Sequence, residues 1–153
     1  MAIYTDQDKE VMKQAARSRN KSRLRELIDF AVLAGYKKLG IANCRAVQPY
    51  ADKLAALLRA AGFEVITVSC KDSGLDGAEL CAELSGPTCD PVSQAEYLNV
   101  QETDFNINVG LCLGHGMLFQ KYSLAPVTTF VVKDFATGHK TVENLLDDSK
   151  DFA

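Results

Sequence analysis

The run Lys38-Leu39-Gly40-Ile41-Ala42-Asn43-Cys44 decides the fold. It is short, apolar and without helical amphipathicity, as expected of a strand buried on both faces, and such strands belong to parallel sheets covered by helices. Two further runs read the same way: Phe63-Glu64-Val65-Ile66-Thr67-Val68-Ser69-Cys70 and Phe105-Asn106-Ile107-Asn108-Val109-Gly110-Leu111-Cys112. Pro126 precedes a fourth, over 127–132.

Helices fill the intervals. Pro49 near a start, Tyr50, Leu54, Leu57, Leu58 and Ala61 on one face, and Gly62 at the end predict a helix between the first two strands. Asp90 as cap and Pro91 in the first turn start another, running to about Asn99. Gly114-His115-Gly116 opens a third carrying Met117, Phe119 and Tyr122, and Thr141 is read as the cap of a short last helix with Leu145 and Leu146. Upstream, Thr5-Asp6-Gln7-Asp8 has capping-box spacing, and Leu24, Leu27, Ile28 and Ala31 recur at helical spacing before Gly35. This N-terminal helical lead-in is broken into two pieces by the polar stretch 17–21.

Strands alternating with helices predict a three-layer, doubly wound α/β sandwich: a mostly parallel sheet of about four strands, order 2-1-3-4, with right-handed crossovers. With 153 residues, 47% of them hydrophobic, the chain is read as one domain, 1–153, with apolar material enough for a core.

A net charge of -3, acidic and basic residues interspersed, supplies no basic field for nucleic acid and no polybasic patch for anionic lipid. No apolar run approaches the roughly 20 residues that span a bilayer, and Met1-Ala2-Ile3-Tyr4-Thr5-Asp6 does not read as a signal peptide. A cytoplasmic protein is expected. In a reducing cytosol the odd set Cys44, Cys70, Cys81, Cys89 and Cys112 reads as metal-binding or catalytic rather than as a disulfide framework.

Three of those cysteines close three different strand-like runs: Cys44, Cys70 and Cys112. In an open parallel sheet all carboxyl ends lie on one edge, and ligands bind in the crevice there. With order 2-1-3-4, Cys44 is central and Cys70 and Cys112 lie on its neighbours, each about 4.8 Å away across the sheet. Cys89, just before the Asp90-Pro91 helix start, is brought over the same edge by the Gly-, Ser- and Asp-rich loop 71–88, and helix-start N–H groups favour thiolates or an anionic cluster. His115, three residues after Cys112, supplies an imidazole ligand or a hydrogen bond to a sulfur. The expected ligand set is therefore Cys44, Cys70, Cys89, Cys112 and His115. One buried cysteine is commonly just a small hydrophobe, and Cys81, with no strand end to fix it, is read that way; recurrence at three strand ends is what argues for a site.

A tetrahedral zinc site needs sulfurs about 3.8 Å apart and usually a Cys-x-x-Cys pair, which the chain does not have. An iron–sulfur cluster takes thiolates over a wider footprint and is the preferred cofactor, with zinc as the alternative. Electron transfer to a redox partner, metal or sulfur handling, and chemistry on a small-molecule substrate are all compatible.

A second reading starts from Gly110-Leu111-Cys112-Leu113-Gly114, a Gly-x-Cys-x-Gly arrangement at a strand-to-helix turn. It resembles the nucleophile elbow of cysteine-dependent α/β hydrolases and class I glutamine amidotransferases, with His139 as base oriented by Asp134 or Glu143. That leaves Cys44 and Cys70 without a role. Dinucleotide binding is disfavoured because the turn after the first strand, Cys44-Arg45-Ala46-Val47, has no glycine. A purely structural or interaction domain is the third possibility.

From about Arg23 to Leu146 the chain resembles a family of uncharacterised cysteine-rich bacterial and archaeal proteins, domain of unknown function 1847, described as predicted metal-binding proteins. The resemblance rests on Gly35-Tyr36-Lys37-Lys38-Leu39-Gly40-Ile41-Ala42-x-Cys44, Cys89-x-Pro91-x-x-Gln94-Ala95-Glu96-x-Leu98-Asn99, Val109-Gly110-Leu111-Cys112-x-Gly114-His115 and Lys121-Tyr122-Ser123-x-Ala125-Pro126-Val127-Thr128-Thr129. It implies metal binding through Cys44, Cys70, Cys89, Cys112 and His115, and no reaction. Where the family places a further cysteine shortly after the strand-two cysteine, this chain has Ser73.

Overall fold

The computed structural model describes residues 3–147, so both ends of the 1–153 domain assignment lie outside the described residues. Two helices lead in, α1 (Asp6–Ser18) and α2 (Arg23–Leu33). Thr5 closes a reciprocal capping box with Asp8 at the start of α1, and Ser22 caps α2 by accepting from the Arg25 N–H. The polar stretch that sequence reading makes a break contains Asn20, at φ 66°.

The chain then alternates β1 (Lys38–Asn43), α3 (Gln48–Ala60), β2 (Glu64–Ser69), α4 (Pro91–Val100), β3 (Phe105–Val109), α5 (Leu113–Tyr122), β4 (Val127–Val131) and α6 (Thr141–Leu145). The four strands form one parallel sheet in the order β2-β1-β3-β4, with helices on both sides, as the alternation predicts. Leu39, Ile41 and Ile107 on the central strands are fully buried, as are Ala51 and Leu58 of α3, Ala95 and Leu98 of α4, and Phe119 of α5. Burial on both faces is why β1 and β3 read as continuous apolar runs rather than alternating ones. At Gly40 a Cβ would stand 2.1 Å from Asn106 Oδ1 and 2.8 Å from Leu98 Cδ1, so the contact of β1 with its neighbours needs the missing side chain.

The strands are shorter than the apolar runs that announce them. β1, β2 and β3 end at Asn43, Ser69 and Val109, so Cys44 and Cys70 stand one residue beyond their strands and Cys112 three. The cause at β3 is Gly110, whose φ of 67° leaves the extended conformation and whose absent Cβ would lie 2.6 Å from Val47 Cγ2. Cys112 is consequently the N-cap of α5, not a strand residue. Thr141 is likewise the first residue of α6, and Lys140 stands at its cap. No helix among the described residues is long and apolar enough to cross a membrane.

Candidate functional site

Asn43 is in register with Ser69 across β1–β2 and with Val109 across β1–β3, so the three strands stop level with one another. The next residues hold that register: the Cys70 N–H donates to Asn43 O at 2.9 Å, and the Cys44 N–H to Val109 O at 3.1 Å. Cys44 and Cys70 are thus laid side by side by the ladder itself, both buried.

Cys89 arrives by a different route. The segment after Cys70 turns back on itself through a bridge between Asp76 and Pro87, with Thr88 N–H donating to Leu75 O and Gly77 N–H to Gly86 O. The Asp76 carboxylate gathers the Ala78 and Gly86 N–H groups inside that turn. The fold-back closes when Asp90 N–H donates to Cys70 O at 2.8 Å, setting Cys89 against Cys70 with sulfurs 3.4 Å apart.

The other two thiols meet through a residue that sequence reading did not single out. Lys133, two residues past β4, places its Nζ 3.2 Å from Cys44 Sγ and 3.0 Å from Cys112 Sγ. Every strand's carboxyl end therefore contributes to the site: Cys70 from β2, Cys44 from β1, Cys112 from β3 and Lys133 from β4. The rule that flagged the cysteines, position just beyond a strand, flags Lys133 as well.

The electrostatics follow from this placement. Burial pushes the Cys70 thiol from 9.0 to about 11; the Arg45 N–H, 3.4 Å from the sulfur, works the other way, while the neighbouring Cys89 and Cys44 add to the rise. Burial acts to lower the Lys133 pKa, but its hydrogen bonds to Cys112 and Cys44 outweigh this and hold it above the usual lysine value. Among the described residues, Asn43 Oδ1, Ser69 Oγ and Gln94 Oε1 are buried without a hydrogen-bond partner.

Of the expected ligand set, the structure sets Cys70 against Cys89 and places Cys44 and Cys112 on the Lys133 ammonium. His115 is half-buried in the first turn of α5, and among the described residues no hydrogen bond joins it to a sulfur. Cys81 is exposed in the fold-back. His139, at φ 66°, accepts the Asp134 N–H on Nδ1 and packs its ring against Tyr50 and Phe135. The hydrogen bond on Cys112 comes from Lys133, not from His139, and Asp134 spends its carboxylate on Thr137 N–H and the Thr141 hydroxyl. Glu143 pairs with Lys140.

Four thiols are the donor set of a soft metal or an iron–sulfur cluster. They stand, however, as two pairs: among the described residues no group of three or more His, Cys, Asp or Glu side chains is gathered as a metal would hold it. A shared centre requires the side chains of the two pairs to turn toward one point.

The family model described as "Protein of unknown function (DUF1847)" matches residues 1–130. The chain is 47% identical over 126 residues to "Uncharacterized protein MJ0455" of Methanocaldococcus jannaschii, a match covering 79% of this chain and 65% of that protein. It thus spans less than two thirds of that relative's length. No solved structure matches it.

Proposed function

The chain belongs to this family of proteins of unknown function, and because membership assigns no chemistry, we propose from the thiol geometry that it holds a metal centre through Cys44, Cys70, Cys89 and Cys112. An iron–sulfur cluster is preferred to zinc. The observation that carries this is that four thiols stand in two pairs at the carboxyl edge of one sheet, Cys70 against Cys89 and Cys44 and Cys112 on the shared Lys133 ammonium. Thiols delivered as two pairs from separate segments, without a Cys-x-x-Cys pair, suit the broader footprint of a cluster.

Such a cluster supplies one-electron transfer when bound. The chain's own contributions are separate from it. Lys133 offsets negative charge at Cys44 and Cys112, and the Arg45 N–H donates to Cys70; hydrogen bonds to ligand sulfurs are among the features that set a cluster's potential. His115 is the reserve donor to a sulfur in the first turn of α5. Full-length protein purified without oxygen is expected to be brown and to contain iron and acid-labile sulfide. Colourless protein with one zinc selects the other metal, and protein with neither overturns the proposal.

A second reading is favoured by one distance. Cys70 Sγ and Cys89 Sγ at 3.4 Å need to approach only to about 2.05 Å to form a disulfide, with two protons and two electrons passing to an acceptor disulfide. Metal-free protein treated with oxidised glutathione would then yield a peptide crosslinked between Cys70 and Cys89. Recovery of both as free thiols removes this reading.

A further inference from the structure

Beside the edge strand β4, Leu24, Leu54, Leu57, Phe130 and Val131 line a cleft of about 390 Å³. Its apolar walls come from α2, α3 and β4, so the space follows from how the two helices meet the strand. Three polar side chains complete the lining, Tyr50, Lys53 and His139, and none of them is an acid. None of Cys44, Cys70, Cys89 and Cys112 takes part.

His139 is held in place by the backbone. Gly138 and His139 are both left-handed, with φ 63° and 66°, and the His139 N–H donates to Asp134 O at 2.7 Å. The imidazole Nδ1 accepts the Asp134 N–H at 2.9 Å, so in the neutral ring the proton sits on Nε2. Among the described residues Nε2 has no partner, and unlike Asn43 Oδ1 it is not an atom that the fold seals from solvent. The ring therefore brings to the cleft a donor without an acceptor. Independently, Lys53 is exposed on α3 and makes no hydrogen bond or ion pair among the described residues. The acid next to His139, Asp134, already accepts on both carboxylate oxygens, from the Thr137 N–H and the Thr141 hydroxyl. Unpaired donors and one free cation beside an apolar wall are complementary to an apolar acid.

We infer that this cleft binds a small carboxylic acid with an apolar body, its carboxylate held by Lys53 and the His139 Nε2–H and its body laid against Leu54, Leu57 and Phe130. The site is independent of the metal centre, because the two share no residue. Probes of one shape and different charge test it: hexanoate, hexanamide and hexylamine, with butyrate as the shorter acid, titrated into isotope-labelled full-length protein as purified while amide resonances are followed. Hexanoate is expected to shift Leu57, Val131, Gly138 and His139 saturably and to bind at least about tenfold more tightly than the amide or the amine, a difference of about 1.4 kcal/mol. Butyrate, with less apolar surface to bury, should bind at least about fivefold more weakly. Lys53→Met, which keeps the stem and removes the charge, should weaken hexanoate at least about threefold. His139→Phe, which keeps a ring against Tyr50 and Phe135 but has no N–H, should weaken it as well. Absence of saturable hexanoate shifts, shifts confined to other surfaces, or equal or tighter binding of the amide or the amine would overturn the assignment. So would butyrate binding as tightly as hexanoate, or unchanged hexanoate affinity in either variant.

Discussion

At the scale of single residues, Cys70 is the thiol whose state the fold controls most strongly. Its pKa is raised to about 11, above the ordinary 9.0, so the folded chain binds this proton more tightly than the unfolded chain does. The resulting stabilisation is complete below pH 9 and is lost as pH rises toward 11. Urea unfolding of metal-free protein between pH 8 and 11 should show the native chain losing stability more steeply than Cys70→Ala; parallel pH dependence would contradict the burial argument. Cys44, Cys70 and Cys112 were legible in the sequence because each closes an apolar run, and Cys89 because it precedes the Asp90-Pro91 helix start. Lys133 stands just past a strand too, but a lysine is neither apolar nor a customary metal ligand, so its role shows only in its distances to Cys44 and Cys112.

At the scale of elements, the turn at Gly110 delivers Cys112 to the site. A side chain there meets both a φ of 67° and a Val47 methyl at 2.6 Å, and Val47 is itself fully packed. Gly110→Ala should therefore cost about 2–3 kcal/mol, from backbone strain and overpacking together, and should lower metal loading by moving Cys112. A loss below about 0.5 kcal/mol in chemical denaturation would show that the turn tolerates a side chain. The sequence marked this segment as a strand ending in cysteine because Gly110-Leu111-Cys112 is apolar, and hydrophobicity does not register the sign of φ. The elbow-like pattern was real as a turn. Its neighbour in space, however, is Lys133 rather than the His139 that sequence separation left free to be proposed.

At the scale of the whole molecule, the strand order follows from alternation and crossover rules that hold for any chain of this pattern, so the sheet was readable in advance. The course of the segment between β2 and α4 was not. Its fold-back depends on one carboxylate, Asp76, gathering two amides, and on a backbone bond from Asp90 to Cys70, neither of which has a periodic signature. Only with that segment in place does Cys89 join thiols 19 or more positions away in the chain. Metal binding requires those thiols to act as one centre rather than as two unrelated pairs. The most direct measurement is metal and sulfide content in anaerobically purified protein and in its five single Cys→Ser variants. Replacement of Cys44, Cys70, Cys89 or Cys112 should each remove most of the bound metal, one member of either pair being as damaging as one of the other, while Cys81→Ser should load like the parent chain. Full loading after loss of Cys44 or Cys112, or equal loss on replacing Cys81, would contradict a single shared centre.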